Sequence, residues 1–85
     1  MDNEKVGEIF KLNKDRFGTE LYDFLDEQIQ KHILEIFDRK SNNDPHYVNE
    51  IADLAILAKL LALCEGADDS VFEERYKKFK DKAKD

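Results

Sequence analysis

The chain has 85 residues, of which 14 are basic and 20 are acidic, and its net charge is −6. This length predicts a single domain, residues 1–85, with a marginal core, because a small chain buries only part of its surface. The single cysteine excludes an internal disulfide, one cysteine and two histidines disfavour a structural zinc, and the acidic balance disfavours nucleic acid as a partner.

The composition predicts a soluble, cytoplasmic, all-α protein without a membrane partner. Residues 1–11 lack the apolar segment of a signal peptide. The longest apolar stretch, Ile51–Cys64, is too short to span a bilayer and is interrupted by Asp53 and Lys59. Glycine occurs three times and proline once, and no segment alternates polar and apolar residues as a half-buried strand does.

The first two helices are separated by a polar segment. Residues 13–18 are polar and end in a glycine, which predicts a connection. Thr19 is the expected N-cap of the second helix. Together with the later part of the chain, the pattern predicts helices at about residues 4–12, 19–40, 45–65 and 70–83.

Turn and cap residues mark the last two helices. Asp44 is the expected N-cap of the third helix, with Pro45 at the first helical position, where a missing N–H costs nothing. Gly66 predicts a left-handed C-terminal stop. Ser70 and Glu73 have the spacing of a capping box for the fourth helix.

The third helix is apolar around its whole circumference, and such a helix needs cover on every side. Three other helices of a small chain can hardly supply it. We therefore expect an antiparallel bundle of two long and two shorter helices, assembled as a homodimer or higher oligomer, with a monomeric bundle as the alternative. The apolar residues are Ile51, Ala52, Leu54, Ala55, Ile56, Leu57, Ala58, Leu60, Leu61, Ala62, Leu63 and Cys64.

Two acids interrupt the start of this apolar helix. Glu50 and Asp53 are three residues apart and share one helical face. Asp53 falls beside Leu57, which predicts a partly buried carboxylate, and such a group is costly unless it is paired or binds a cation. One interpretation is a wet helix end with Lys31 or Lys59 as counter-ion, and the other is a metal site.

Acids of the second helix favour the metal site. They lie where an antiparallel neighbour can bring them beside the third-helix pair. Carboxylate oxygens without matching arginines are the ligands that a hard divalent cation selects, which predicts Mg²⁺, with Mn²⁺ as the alternative. The candidate metal ligands are Asp23, Asp26, Glu27, Glu50 and Asp53.

The segment Asn49–Leu57, N-E-I-A-D-L-A-I-L, resembles the second acidic motif of the all-α nucleoside triphosphate pyrophosphohydrolases, which include MazG-like enzymes and dimeric dUTPases. The family pattern is E-E-x-x-E on one helix, then E-x-x-D on the next long apolar helix. Asp26–Gln30 is one register of the first motif, with Gln30 in place of the last acid. Glu20–Asp23 is another register, which keeps the acid spacing without the doublet. The resemblance covers about residues 19–83.

The resemblance implies Mg²⁺-dependent hydrolysis of a nucleoside triphosphate between the α- and β-phosphates, releasing a monophosphate and pyrophosphate. It implies that Asp26 and Glu27 are catalytic, one of them as general base. The expected partners are a nucleotide substrate and a second copy of the chain. Because Gln30 replaces an acid, the alternative is a non-catalytic helical homodimer, either an interaction module or a degenerate family member. Candidate substrate contacts are Lys77, Lys78, Lys80 and His46.

Two other reactive side chains have expected structural roles. His32 lies on the apolar side of the second helix and is expected to be a packed, hydrogen-bonded histidine of the core. Cys64 ends an apolar run without a cationic neighbour, which predicts an unreactive thiol.

Overall fold

A computed structural model describes residues 2–84, and this part of the chain is all-α, as the sequence predicts. Residues 2–84 contain no β-strand, and none of their helices combines the length and the apolar character needed to cross a membrane. The helices are α1 Asn3–Phe17, α2 Leu21–Ser41, α3 Tyr47–Cys64 and α4 Asp69–Lys84, with a 3-10 turn at Gly18–Glu20 between α1 and α2.

The first helix is longer than the sequence predicts, because the polar segment after residue 12 stays helical to Phe17. The side chain of Asn13 donates a hydrogen bond to the carbonyl of Ile9 at 2.8 Å, one turn earlier, and so is accommodated within the helix. Gly18, with φ of 54°, ends the helix. The predicted N-cap at Thr19 is wrong, because the 3-10 turn leads directly into α2.

The predicted N-cap at Asp44 is wrong, because α3 begins at Tyr47 and its N-cap is His46. Asp44 instead accepts a hydrogen bond from the backbone N–H of His46 at 2.9 Å, within the turn that precedes α3. Gly66 has φ of 82° and forms the predicted left-handed stop. The turns on either side of α3 therefore fix its length.

The predicted capping box at the start of α4 is wrong. The carboxylate of Asp68 accepts hydrogen bonds from the backbone N–H groups of Ser70 and Val71, at 3.1 and 3.2 Å. An ionised carboxylate is a stronger acceptor than a serine hydroxyl, so Asp68 takes the cap and α4 begins at Asp69.

The packed core is small for a chain of this size. Helices α2 and α3 pack as an antiparallel pair, and α1 packs against both. The side of α3 that faces away from α2 stays exposed, so the chain does not cover its most apolar helix. The buried core residues are Val6, Leu21, Leu25 and Leu60, and the exposed residues on the far side of α3 are Val48, Ile51, Ala52 and Ala55.

The last helix stands beside this packed unit. No Cα atom of α4 lies within 8 Å of a Cα atom of the other described helices. Helices α3 and α4 meet through side chains, with the Lys59 ammonium 3.2 Å from the centre of the Phe72 ring. An open cavity of about 300 Å³ lies between α3 and α4, bordered by Ala55, Ala58 and Tyr76 among others.

Candidate functional site

The antiparallel packing of α2 and α3 brings four ionisable side chains together. We call His32 and Glu35 of α2, with Glu50 and Asp53 of α3, the interhelical cluster. Both pairs have i, i+3 spacing, so each pair projects from one face of its helix. Ligand atoms of His32, Glu35 and Glu50 lie within 4.8 Å of one another. The Nε2 atom of His32 is 3.6 Å from Oε2 of Glu50 and 3.5 Å from Oδ2 of Asp53.

Glu50 is the most enclosed acid of the cluster. Its side chain is 13% exposed, whereas that of Asp53 is 54% exposed. The sequence predicts Asp53 as the partly buried carboxylate, but the structure gives that position to Glu50. Atom Oε2 of Glu50 is buried and has no hydrogen-bond partner among the described residues. The adjacent Glu35 carboxyl, followed by burial, raises the pKa of Glu50.

One arginine offsets part of the negative charge. Atom Nη1 of Arg39 donates to Asp44 at 2.7 Å, and Nε lies 3.6 Å from Oε1 of Glu50. The predicted counter-ions Lys31 and Lys59 do not pair with the cluster in the described residues. The guanidinium of Arg39 is shared between Asp44 and Glu50, so it offsets only part of the negative charge of the cluster.

His32 is hydrogen-bonded, as the sequence predicts, but its surroundings are not purely apolar. Atom Nδ1 lies 2.7 Å from the carbonyl oxygen of Gln28, one turn earlier on α2. A carbonyl oxygen only accepts, so Nδ1 carries the proton and donates. The other ring nitrogen, Nε2, faces Glu50 and Asp53.

The predicted acids of α2 lie away from this cluster. Asp26 is six residues before His32, about 9 Å along the helix axis, and its carboxylate accepts a hydrogen bond from Gln30 at 3.1 Å. Asp23 and Glu27 border a separate open cavity of about 310 Å³. The structure does not bring these three acids to Glu50 and Asp53, and their metal-binding and catalytic roles stay predictions.

The predicted substrate contacts are all exposed. Lys77, Lys78 and Lys80 lie on α4, which meets the side of α3 opposite the cluster. His46 lies one turn before Glu50, and its Nδ1 atom is 2.8 Å from the Asp44 carboxylate. Roles of these four residues in substrate binding stay predictions.

Sequence reasoning missed His32 and Glu35 as site residues. The signal was present in the spacing, because the pattern His32-x-x-Glu35 repeats the spacing of Glu50-x-x-Asp53. His32 and Glu35 lie opposite Glu50 and Asp53, although neither register of the first acidic motif, Asp26–Gln30 or Glu20–Asp23, includes them.

An apolar cavity adjoins the cluster. It has a volume of about 290 Å³, and the cluster residues His32 and Asp53 form part of its wall. The side chain of Asn13 adds one amide, and apart from these three polar residues the lining is apolar. The remaining lining residues are Ile9, Phe24, Leu25, Ile56, Leu57 and Leu60.

Comparison with known protein families, with curated proteins and with solved structures finds no significant match for this chain. A function is therefore proposed from the chemistry of the interhelical cluster and the cavity beside it, together with the sequence resemblance of residues 49–57.

The turn that leads into α3 generates a pH prediction. The backbone N–H and ring of His46, together with Arg39, lower the pKa of Asp44 from 3.8 to about 2. A depressed carboxyl pKa adds stability above the unfolded-state value, and this stability is lost as the pH falls from about 4 to about 2. We expect Asp44→Asn to lower the free energy of unfolding at pH 7 and to flatten its dependence on pH in this range.

Urea denaturation followed by circular dichroism at pH 2, 3, 4 and 7 measures both effects. The exposed acid Asp15 gives the matched control, because Asp15→Asn removes the same charge away from the turn. An equal loss of stability in both variants would contradict a specific role for Asp44.

Proposed function

We propose that this chain is a divalent-cation-dependent nucleoside triphosphate pyrophosphohydrolase, with the cation held between α2 and α3. The observation that carries the proposal is the convergence of Glu50 and Asp53 with His32 and Glu35 across an antiparallel helix pair. The resemblance of residues 49–57 to an acidic motif of that superfamily gives the reaction class.

The donor set fits a divalent cation. The buried oxygen Oε2 of Glu50 lacks a partner, and Glu35 offers a second carboxylate beside it. His32 adds a nitrogen whose orientation is fixed by Gln28. The sequence predicts Mg²⁺, with Mn²⁺ as the alternative. A bound cation would offset phosphate charge and lower the pKa of an attacking water.

The residues around the cluster suit the remaining tasks of the reaction. Asp53 is half exposed, so it is open to solvent water and is placed to accept the proton that this water gives up. The oxygen of that water forms a bond to the α-phosphorus, and the bridging P–O bond breaks to release pyrophosphate. Arg39 lies beside Glu50 as a donor for a phosphate oxygen. The apolar cavity offers room for the base of the nucleotide.

Exposed apolar surface supports assembly as a homodimer, which completes the antiparallel bundle. The described chain exposes 6750 Å², whereas a compact monomer of 10.0 kDa exposes about 5,200 Å². The Cα radius of gyration is 14.7 Å, and about 12 Å is expected for this length. The excess of about 1,500 Å² exceeds the roughly 800 Å² that each partner buries in a standard interface.

We place the dimer contact on the far side of α3 and on the facing stripe of α4. Ile51 is 45% exposed there, and Tyr76 and Phe79 of α4 are 60% and 65% exposed. Phe72, Tyr76 and Phe79 follow i, i+4, i+7 spacing, which aligns them on one face of α4. A second copy that fills the cleft between α3 and α4 covers both apolar stripes.

The second candidate is a non-catalytic helical homodimer. The observation in its favour is that His32 and Arg39 already lie within 3.6 Å of Glu50, so the cluster has counter-ions of its own. In that case the cluster fixes the register of α2 against α3, and the dimer surface is the functional feature.

Nucleotide hydrolysis separates the two candidates. We expect the protein to release pyrophosphate from at least one nucleoside triphosphate when Mg²⁺ or Mn²⁺ is present. Glu50→Gln and Asp53→Asn are expected to lower kcat/KM by at least about tenfold, the lower end of what even outer-shell partners contribute to metal sites. Asp15→Asn, an equal loss of charge on α1, is the control.

A coupled pyrophosphate assay with ordinary and modified nucleotides provides the measurement. Absence of pyrophosphate across the whole panel would favour the non-catalytic homodimer.

The assembly has its own test. At micromolar concentration we expect sedimentation velocity to give a dimer or a multiple of it for the wild type. Ile51→Glu buries a charge in the proposed contact and is expected to give monomer. Leu12→Glu on α1, where Leu12 is 69% exposed, is expected to remain assembled. A wild-type monomer at this concentration would contradict the proposed interface.

A further inference from the structure

The ring of His32 is held in a fixed orientation. Its Nδ1–H group donates to the carbonyl of Gln28 at 2.7 Å, a short hydrogen bond to the helix backbone. This bond leaves Nε2 as the ring nitrogen that faces the cluster. Metal-binding histidines typically use one nitrogen for the metal and donate the other N–H to a carbonyl or carboxylate, which fixes the tautomer.

The carboxylates around Nε2 of His32 favour a bound cation. The distances from Nε2 to Glu50 and Asp53 are 3.6 and 3.5 Å, which are longer than the 2.7–3.2 Å typical of a direct N–H···O hydrogen bond. In the tautomer that carries the proton on Nδ1, Nε2 presents a lone pair toward the carboxylates of Glu50 and Asp53, which repel it. Glu35 extends the same negative side of the cluster, and its ligand atom lies within 4.8 Å of the others.

We propose that His32 is a metal ligand through Nε2 and that it makes this site select a first-row transition ion, with Mn²⁺ as the representative, over Mg²⁺. The inference rests on the metal site of the proposed function and names the class of ion that it takes. Mg²⁺ prefers oxygen ligands and keeps several waters, whereas imidazole nitrogen suits transition ions. The carboxylates of Glu35 and Glu50 favour Mn²⁺ over the softer ions that thiolates select.

Mn²⁺ binding to the tag-free protein without nucleotide tests the assignment. The sequence has two histidines, so His32 is the only histidine in the His46→Gln protein. We expect both the wild type and His46→Gln to bind Mn²⁺ at least about tenfold more tightly than Mg²⁺ in equilibrium dialysis, a factor within the range that ligand partners contribute. Electron spin echo modulation of the bound Mn²⁺ is expected to show a directly coordinated imidazole nitrogen in both.

His32→Gln is the complementary variant. We expect it to lose the nitrogen signal and to bind Mn²⁺ and Mg²⁺ with similar affinity, while His46→Gln retains the preference. A nitrogen signal in His46→Gln comes from His32, so the assignment is decided even where His32→Gln fails to fold.

The possible failures are distinguishable. Bound Mn²⁺ without a nitrogen signal, or equal affinity of the wild type for Mn²⁺ and Mg²⁺, would overturn this inference and leave the proposed hydrolase in place. A protein that binds neither ion, with or without nucleotide, would overturn both.

Discussion

Enclosure of the Glu50 carboxylate between α2 and α3 is the constraint on which the site depends. A charge taken out of water destabilises the fold unless a proton, an ion pair or a metal offsets it. Glu35 raises the pKa of Glu50 and so favours its protonated form, Arg39 forms an ion pair with Glu50, and His32 offers a second cation or a metal-ligating nitrogen. An enclosed acid among competing partners is typical of a site where charge changes during function.

The small core of the fold provides little stability to offset the cost of burying that acid. Four buried side chains make up the core of the described residues, and only Leu25 is completely enclosed. Large apolar side chains remain on the surface of α3 and α4, including Ile51 and Phe79. Burial of this surface against a second copy adds about 25 cal/mol per Å² of apolar area. The proposed association would therefore support the site indirectly, by stabilising the helix pair that holds Glu50 in place.

Local chemistry made much of the fold predictable. The stop at Gly66 depends on neighbouring residues alone, and the structure has it. Asp44 accepts a hydrogen bond in the turn before α3, but His46 takes the N-cap position that the sequence assigned to Asp44. Competition between acceptors was harder to foresee, so Asp68 took the cap assigned to Ser70. The acid pair on α3 was predictable from its interruption of an apolar helix. Its partners were not, because the register of α2 against α3 is a tertiary property that decides which face of α2 meets Glu50.

The resemblance pointed to Asp26 and Glu27, whereas the register of α2 against α3 places His32 and Glu35 opposite the acids of α3.

The most direct test of a cation site between α2 and α3 is a crystal structure of the protein grown with Mn²⁺, with anomalous diffraction recorded at the manganese edge. We expect one strong anomalous peak between α2 and α3, in contact with Glu50, Glu35 and Nε2 of His32. A map without a peak at this position, with His32 and Arg39 hydrogen-bonded directly to Glu50, would contradict the proposed site.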